Sequence, residues 1–404
     1  MKKALVLAGG IAQAALIDEL RARGYYTLLA DMNPECYAAE RADEFCPVSA
    51  MDLDALEKLA LEQRVDMIVT ACADQILLAE AYLCEKLGLR SYISYATAKL
   101  VSDKKYMKDI FLKNGVPTSR YVILDKFSKS RIRLLKYPLI VKPVDAYSSK
   151  GVRRCNDAAE VKEYLEQAIR ISRTKTAVVE EYVEGQELTV EFFVRDGKAR
   201  MLCCGKKEKL KDGNFVGYGS LYSAELPEKL KQNIETVGQK VAEAFGLVNS
   251  PMLIQMITDG ENVFVLEFCA RTGGFIKYEI VRRMSGVDPI GLAVDLHEGT
   301  VPSIDGIRPE KKYLLSCFLY CSDGVLDRYS GFEEIVTAGI ATKYWLVRKP
   351  GYKFKTIESS GDRAACFIIQ DDSYEELLSK YRKAMDTVKV LDKDGRNLIR
   401  FDLM

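Results

Sequence analysis

The chain has 404 residues, of which 48% are hydrophobic and 29% charged, and its formal net charge is +1. This length exceeds what one hydrophobic core supports, so we expect two or three domains. The near-neutral charge, without a long run of one sign, argues against binding to nucleic acid or to a membrane surface through bulk charge. The cysteines number 11, and no apolar stretch has transmembrane length, which indicates free thiols in the cytoplasm.

The one histidine, His297, lies in LHEGT at the end of a predicted helix. At a helix end we expect a capping or solvent-facing side chain rather than a catalytic one. A single histidine also gives little support to a zinc site or to histidine-based catalysis.

Strand and helix patterns alternate over residues 1–95. Apolar runs predict strands at residues 4–7, 26–30 and 67–70, with amphipathic helices between them. This rhythm is typical of a parallel, doubly wound sheet. Gly9 and Gly10 after the first strand, with Asp31 after the second, suggest dinucleotide binding, but the G-x-G-x-x-G spacing is missing, which argues against NAD.

Two lysines in the middle of the chain follow patterns that suit phosphate binding. SDKK opens a helix that carries Lys104, with Ser102 or Asp103 as its N-cap. A strand over residues 137–141 leads to Lys142 and the loop VDAYSSKGV. Small residues let backbone N–H groups approach phosphate oxygens, although this loop taken alone is more typical of a hairpin turn. The small residues of the loop are Ser148, Ser149 and Gly151.

The segment VFVLEFCARTGG presents a carboxylate and a guanidinium at the end of a predicted buried strand. Glu267 and Arg271 lie there, just before a pair of glycines. A carboxylate binds a hard cation through oxygen, and an arginine binds phosphate or carboxylate oxygens with a planar fork. Gln255 lies on the preceding strand, which the Asp259-Gly260 turn connects into a hairpin.

The last part of the chain becomes rich in strands from about residue 311. Strands are predicted at residues 313–320, 342–347 and 364–369, and a helix at 374–388. We interpret this part as a third, smaller α+β domain.

The motifs, in this order, resemble the ATP-grasp superfamily over nearly the whole chain. LVLAGGIAQ, LLADMNP and IVTACAD look like the pre-ATP-grasp domain, and SDKKYM, VKPVDAYSSKGV and VEEYVEG look like the ATP clamp. The resemblance implies an α/β and α+β fold. The implied fold has a Rossmann-like parallel-sheet domain over residues 1–95 and a two-lobed ATP-grasp clamp over residues 96–305. One lobe of the clamp, the ATP lobe, spans about residues 115–185. A small C-terminal α+β domain over 306–404 packs on the clamp.

The resemblance also implies roles for individual residues. Lys104 and Lys142 match lysines that contact ATP phosphates, and Glu187 matches the acid that holds the ribose hydroxyls. Arg271 matches the arginine that contacts the transferred phosphoryl group or the substrate carboxylate, so Arg271 and Lys142 are the predicted catalytic residues. The other implied ATP contacts are Ser148, Ser149 and Gly151 of the mobile loop, and Glu180, Glu181, Tyr182 and Val183 of the hinge that reads adenine, mostly through backbone groups.

The implied metal positions, Gln255 and Glu267, depart from the family pattern. The last family motif commonly reads E-x-N-P-R, whereas this chain has Glu267-Phe268-Cys269-Ala270-Arg271. A thiol is a poor ligand for a hard cation, and Gln255 lacks the charge of a glutamate. These departures leave three alternatives. ATP phosphates and water complete the coordination of Mg²⁺, or a second Mg²⁺ binds weakly, or the protein binds nucleotide without fast turnover.

The chemistry that the resemblance implies is ATP-dependent carboxylate–amine ligation through an acyl phosphate, with release of ADP and phosphate. ATP and Mg²⁺, or Mn²⁺ in its place, are the implied cofactors, and the substrates are a small-molecule carboxylate and an amine. Purine-pathway ligases acting on a glycinamide ribonucleotide and half of the carbamoyl-phosphate synthetase large subunit are alternatives within the superfamily. An ATP-binding regulatory protein with little turnover is an alternative of another class.

Two unassigned arginines, Arg282 and Arg328, are our candidates for binding a substrate carboxylate, although either could be a solvated residue. We also expect a homodimer, since most soluble oligomeric enzymes are symmetric dimers.

Overall fold

The computed structural model describes residues 1–146, 149–211 and 215–404. It confirms the predicted α/β and α+β fold class. The strands are β1 (Lys3–Leu7), β2 (Tyr26–Ala30), β3 (Glu44–Cys46), β4 (Met67–Val69), β5 (Tyr121–Leu124), β6 (Leu139–Pro143), β7 (Arg153–Cys155), β8 (Ala177–Glu181), β9 (Gln186–Arg195), β10 (Lys198–Lys209), β11 (Gly217–Ser223), β12 (Ser250–Thr258), β13 (Val263–Cys269), β14 (Tyr313–Leu319), β15 (Gly324–Val325), β16 (Arg328–Ser330), β17 (Lys343–Leu346), β18 (Lys353–Phe354), β19 (Ala365–Asp371) and β20 (Lys389–Leu391). The helices are α1 (Ile11–Ala22), α2 (Leu53–Gln63), α3 (Asp74–Leu87), α4 (Tyr95–Val101), α5 (Lys104–Lys113), α6 (Lys129–Ile132), α7 (Ala158–Ile171), α8 (Glu228–Ala244), α9 (Lys277–Ser285), α10 (Pro289–Glu298), α11 (Phe332–Thr337) and α12 (Tyr374–Thr387), with short 3-10 helices at Ser360–Asp362 and Phe401–Leu403.

The first strands form a parallel sheet in the order β3-β2-β1-β4. Its alternate side chains enter two cores, as expected for a sheet covered on both faces. Leu5 and Ile68 pack with Leu56 of α2 and Leu83 of α3. Side chains of the opposite face pack with α1 and also with Val294 of α10. The helix α10, far along the chain, therefore completes the parallel-sheet unit.

A second, antiparallel sheet has the order β5-β8-β6-β7. Its core includes Leu139 and Val179 from the sheet and Val161 and Leu165 from α7. Strand β6 carries Lys142, and β8 ends at Glu181. The loop after β6 connects it to its antiparallel partner β7, as the hairpin interpretation predicted.

The third sheet has eight antiparallel strands in the order β13-β12-β9-β10-β11-β14-β19-β17. It crosses the predicted domain boundary at residue 305, because β11 pairs directly with β14. Gly219 of β11 permits this pairing, since a Cβ there would lie 2.6 Å from the Ser316 carbonyl oxygen. The last three strands in this order thus extend the same sheet that carries Gln255 and Glu267. The domain boundaries remain a proposal.

No helix in the described part of the chain is long and apolar enough to cross a membrane.

Candidate active site

A cavity of about 430 Å³ lies between the four-stranded antiparallel sheet and the eight-stranded sheet. Its volume is in the range of small-molecule sites. The cavity brings together most of the residues predicted from the sequence: Lys104, Lys142, Ser149, Glu180, Glu181, Tyr182, Val183, Glu187, Gln255, Glu267 and Arg271. Ser148 lies outside the described residues, and Gly151 lies next to the lining residues Lys150 and Val152.

Glu267 and Gln255 face each other across the β12–β13 pair. Lys104, the first residue of α5, lies with its Nζ 2.9 Å from Glu267 Oε2 and also donates to the Ala146 carbonyl oxygen at 2.8 Å. Asp103 is the N-cap of this helix, because its side chain accepts from the Lys105 N–H. Burial alone would raise the pKa of Glu267, but Lys104 and Lys142 outweigh burial and lower this pKa below its ordinary value. The carboxylate is therefore ionised and available to a cation.

Glu180 binds two lysines inside the protein. Its Oε1 lies 2.6 Å from Lys142 Nζ, and its Oε2 lies 2.6 Å from Lys108 Nζ. Lys108 is fully buried and also donates to Thr118 and Ser119. Burial lowers the pKa of Lys108 to about 8 against the attraction of Glu180. Burial alone would raise the pKa of Glu180, but the two lysines lower it well below its ordinary value. The Glu180 side chain thus holds Lys142 in place at the cavity wall.

Glu187 at the start of β9 has two lysine partners on β10. Lys207 Nζ lies 2.8 Å from its Oε1 and Lys209 Nζ lies 3.0 Å from its Oε2. The two lysines lie two residues apart on one strand and so project from the same face. Burial alone would raise the pKa of Glu187, but both lysines outweigh burial and lower this pKa.

Arg271 is bound by Asp74, the first residue of α3. The guanidinium Nε and Nη2 donate to the two carboxylate oxygens at 2.9 Å and 2.7 Å. Its Nη1 donates to the Thr272 carbonyl oxygen at 3.0 Å. The arginine therefore has a fixed orientation at the wall of the cavity.

The predicted hinge follows the end of β8. Tyr182 donates its backbone N–H to the Pro138 carbonyl oxygen at 2.9 Å, and its ring lies 4.6 Å from the Arg154 guanidinium carbon. Glu181 accepts from the Lys136 N–H at 2.9 Å. The hinge residues thus line the cavity with their backbone held by neighbouring segments.

Two further cations line the cavity near the glycine pair after β13. The Arg363 guanidinium carbon lies 4.7 Å from the ring centroid of Phe275 and 4.3 Å from that of Phe318. Lys277 lies with its Nζ 4.8 Å from the Tyr222 ring centroid and contacts the hydroxyl of that tyrosine. We name the four cavity-lining residues Phe275, Lys277, Phe318 and Arg363 the aromatic–cation cluster.

Glu191 on β9 lies behind this part of the wall. Both of its carboxylate oxygens accept from the Gly273 N–H at 3.2 Å. Burial raises its pKa to about 7, against the attraction of Lys277. A Cβ at residue 273 would lie 2.4 Å from the Glu191 Oε1 atom, so glycine permits this close approach.

Neither candidate substrate arginine lines the cavity. Arg282 is half exposed and pairs with Glu279, and Arg328 is mostly exposed and pairs with Asp327. Their predicted role in substrate binding stays a prediction without support from the geometry.

The expectation for His297 is wrong, because the side chain neither caps a helix nor faces solvent. It is 4% exposed, and its Nε2 lies 3.0 Å from Glu80 Oε1. Its Nδ1 lies 2.7 Å from the Ala293 carbonyl oxygen. The helix α10 packs this face on the parallel-sheet unit, so the histidine is buried in the interface.

The residues at the predicted metal position fit Mg²⁺ only in part. Among residues 1–146, 149–211 and 215–404, no group of three or more histidine, cysteine, aspartate or glutamate side chains could hold a metal ion. Glu267 offers one carboxylate and Gln255 one amide oxygen, which suits an ion that keeps water and phosphate ligands. Burial raises the pKa of Cys269 well above its ordinary value, and a thiol is a poor ligand for a hard cation.

Residues 135–279 match the ATP-grasp domain family. This stretch, just over a third of the chain, is similar to ATP-grasp domains. The chain is 25% identical over 412 residues to phosphoribosylamine–glycine ligase of Caldanaerobacter subterraneus subsp. tengcongensis, covering 93% of each chain. It is 20% identical to the carbamoyl phosphate synthase large chain of Clostridium acetobutylicum, covering 93% of this chain but only 38% of that protein.

A solved structure with the same fold is the L-amino acid ligase from Bacillus licheniformis. The two structures have a TM-score of 0.83 at 20% identity, covering 97% of this chain and 99% of that one. This likeness shows that the two proteins share a fold.

Several site residues were not predicted from the sequence. Lys108 lies one helical turn after Lys104, and the alternation KKEK on β10 was the available signal for the Glu187 partners. No local signal distinguishes Asp74 or Arg363 from a surface residue, because each reaches the cavity only through the tertiary fold. The unpredicted residues are Asp74, Lys108, Glu191, Lys207, Lys209, Lys277 and Arg363.

Proposed function

We propose that this protein is an ATP-dependent ligase that activates a carboxylate as an acyl phosphate and joins it to an amine, with release of ADP and phosphate. The carboxylate is that of an amino acid or another small molecule. The amine is a second small molecule. We expect the enzyme to act in the cytoplasm as a homodimer.

The observation that carries this proposal is the set of charges around one small cavity. Lys104, Lys142 and Arg271 supply positive charge there, and Glu267 and Gln255 supply oxygen ligands on neighbouring strands. Phosphoryl transfer needs little covalent chemistry from a protein and depends on positioning and charge neutralisation. No nucleophilic side chain is required by this scheme.

The reaction proceeds in two displacements. A carboxylate oxygen of the first substrate attacks the γ-phosphorus, the bond from that phosphorus to the β–γ bridging oxygen breaks, and ADP leaves. The amine of the second substrate then attacks the acyl carbon, phosphate leaves with the bonding electron pair, and the amine nitrogen loses a proton to solvent. Closure of the two lobes over the substrates would keep water from the acyl phosphate, which water would hydrolyse.

The cations have distinct positions for this chemistry. Lys142 is fixed by Glu180, and Lys104 is anchored to Ala146 and Glu267. We assign both lysines to the phosphates of ATP, with Ser149 and Gly151 of the loop after β6. The hinge residues Glu180, Glu181, Tyr182 and Val183 are assigned to adenine, mostly through backbone groups, and Glu187 to the ribose.

Glu267 and Gln255 would hold Mg²⁺, or Mn²⁺ in its place. When bound, the ion neutralises charge on the β- and γ-phosphates. Glu267 would then hold the ion in place of its contact with Lys104, and Lys104 would contact a phosphate.

The test is a product assay with ATP, Mg²⁺ and pools of amino acids and small carboxylates, in which ADP, AMP and phosphate are measured separately. ADP and phosphate that appear only with both a carboxylate and an amine support the ligase. AMP and pyrophosphate would overturn the acyl phosphate step.

Two variants test the site assignment in the same assay. Glu267→Gln and Lys142→Ala are expected to reduce ADP release by about a thousandfold or more while the protein stays folded. Glu261→Gln is the control, because Glu261 is exposed on the turn between β12 and β13. Normal ADP release by both site variants would show that the assignment is wrong.

A further inference from the structure

The Arg363 guanidinium is placed in the cavity wall by two aromatic rings. Phe275 follows the glycine pair after β13, and Phe318 lies on β14, so the two rings come from distant segments. The rings lie edge to face with centroids 5.8 Å apart. Cation–π contacts on both rings fix the side chain without neutralising its charge. Its Nε atom is buried and has no hydrogen-bond partner.

The carboxylates that line the cavity in the described part of the chain each have a cationic partner already. Asp74 pairs with Arg271, and Glu267 pairs with Lys104. The others are Glu180, Glu181 and Glu187, which pair with Lys142, Arg120 and the two β10 lysines. No described carboxylate forms an ion pair with Lys277 or Arg363.

Glu191 is a nearby acid whose negative charge acts on Lys277. It acts on Lys277 through space, but its oxygens are directed to the Gly273 N–H. The pKa of Lys277 is lowered, mostly by burial and further by the charges of Lys207 and Arg363, whereas Glu191 raises it. Asp362, next to Arg363, uses its Oδ2 to cap the short 3-10 helix. The aromatic–cation cluster therefore keeps positive charge that a ligand can neutralise.

We propose that the aromatic–cation cluster binds the carboxylate of the amine-bearing substrate, so that this substrate is an amino acid. This inference rests on the proposed ligase function and deepens it by naming the second substrate's class. Arg363 holds the carboxylate with its planar fork, and Lys277 adds a second charge. The rings of Phe275 and Phe318 contact the apolar part of the same molecule.

The cluster suits a carboxylate that does not react. An arginine that pairs with a carboxylate reduces the nucleophilicity of its oxygens, which is unfavourable for the carboxylate that attacks ATP. The reacting carboxylate belongs next to the γ-phosphate at Lys104 and Lys142, where Arg271 is already paired with Asp74. A separate anion site holds the second molecule with its amine free; its cations are Lys277 at the start of α9 and Arg363 between the short 3-10 helix and β19.

The experiment compares each acceptor amino acid with its α-amide, using a fixed acyl donor, ATP and Mg²⁺, and measures kcat and KM from ADP release. For the unchanged protein we expect the amide to have about 100-fold lower kcat/KM, mainly through KM, because a partly buried cation is left unpaired. Arg363→Met should lower kcat/KM for the free acid by a similar factor and remove the preference for the acid. Arg363→Lys should retain part of that preference.

Arg200→Met is the matched control, because Arg200 is exposed on β10 and pairs with Asp305. It should keep both the rate and the preference for the acid. An unchanged protein that uses amides as well as acids would overturn the inference and leave the ligase function intact, and so would an Arg363→Met variant that still prefers the acid.

A binding measurement separates failure of the inference from failure of the ligase function. Trp345 is the one tryptophan and packs in the same core as Phe318, so its fluorescence reports on the cluster. If no pair of a carboxylate and an amine releases ADP, the ligase proposal fails. An emission change caused by amino acids but not by their amides, and lost in Arg363→Met, would still support the anion site. No change with any amino acid would overturn it.

Discussion

Arg271 and Asp74 form a two-point contact, with Nε and Nη2 of the arginine donating to both oxygens of the carboxylate. Asp74 begins α3 of the parallel-sheet unit, whereas Arg271 follows the last strand of the ATP-grasp hairpin. Fork-to-fork pairs fix orientation as well as charge. Asp74 of the parallel-sheet unit therefore fixes the orientation of Arg271, which we assign to catalysis.

Replacement of Asp74 tests this dependence. In Asp74→Asn one anionic partner is lost, and Arg271 is expected to leave its orientation, which lowers kcat by about 10- to 100-fold. The control is Asp54→Asn, an exposed residue in the first turn of α2. Steady-state ADP release measures the effect, and a normal kcat in Asp74→Asn would mean that Arg271 needs no orientation from Asp74.

The ion pairs of Glu180 with Lys108 and Lys142 should be important for the stability of the fold. Glu180→Gln leaves Lys142 and the fully buried Lys108 without their anion, which we expect to cost about 3 to 5 kcal/mol of unfolding free energy. Glu261→Gln removes an exposed pair with Lys229 and should cost about 1 kcal/mol or less. Urea unfolding of the three proteins decides the question, and equal costs for both variants would contradict the buried-pair account.

Replacement of Gln255 by glutamate is expected to increase the affinity of the site for Mg²⁺. Gln255→Glu places a second carboxylate opposite Glu267 and should lower the Mg²⁺ concentration for half-maximal activity by about tenfold, since carboxylates are preferred ligands of hard cations. The readout is ADP release during Mg²⁺ titration. Gln255→Asn, which keeps the amide but shortens the side chain, should raise the required Mg²⁺ concentration. An unchanged Mg²⁺ requirement in Gln255→Glu would show that residue 255 does not contact the ion.

The buried His297–Glu80 pair predicts a pH-dependent stability. Burial lowers the pKa of His297, but Glu80 raises it more, so this pKa lies above its ordinary value. The folded state then holds the proton more tightly than the unfolded state. This stabilisation is complete below about pH 6.5 and is lost as the pH rises through the folded-state pKa.

The unfolding free energy that His297 adds relative to His297→Gln should therefore be larger at about pH 6 than at about pH 9. Urea unfolding of both proteins across this range measures the difference. A difference that does not change with pH would indicate that the histidine is neutral throughout and acts only through packing.

The long elements and the motif order could be predicted because periodicity and turn residues are local signals. Strand β2 lies at its predicted position, and helix α1 lies between the first two strands as predicted. The residues Lys104, Lys142, Gln255 and Glu267 meet in one cavity. Strand β11, rich in glycine and tyrosine, was not predicted because it lacks a regular apolar pattern.

The environment of a side chain was harder to predict than its position. His297 was expected at a helix end in solvent, but its burial depends on Glu80, which is distant in sequence. Similarly, Arg363 becomes a cavity residue only because the strands β14 and β19 extend the large sheet beside Phe275. Such contacts between distant segments leave no trace in local sequence patterns.

The pairing of β11 with β14 has a consequence for any shortened form of this protein. A fragment that stops at residue 305 would leave one side of β11 with unpaired backbone N–H and C=O groups. Open strands of this kind recruit strands from other molecules. Such a fragment is expected to aggregate into insoluble material. By pairing with β11, strand β14 in the last quarter of the chain therefore protects the protein from aggregation.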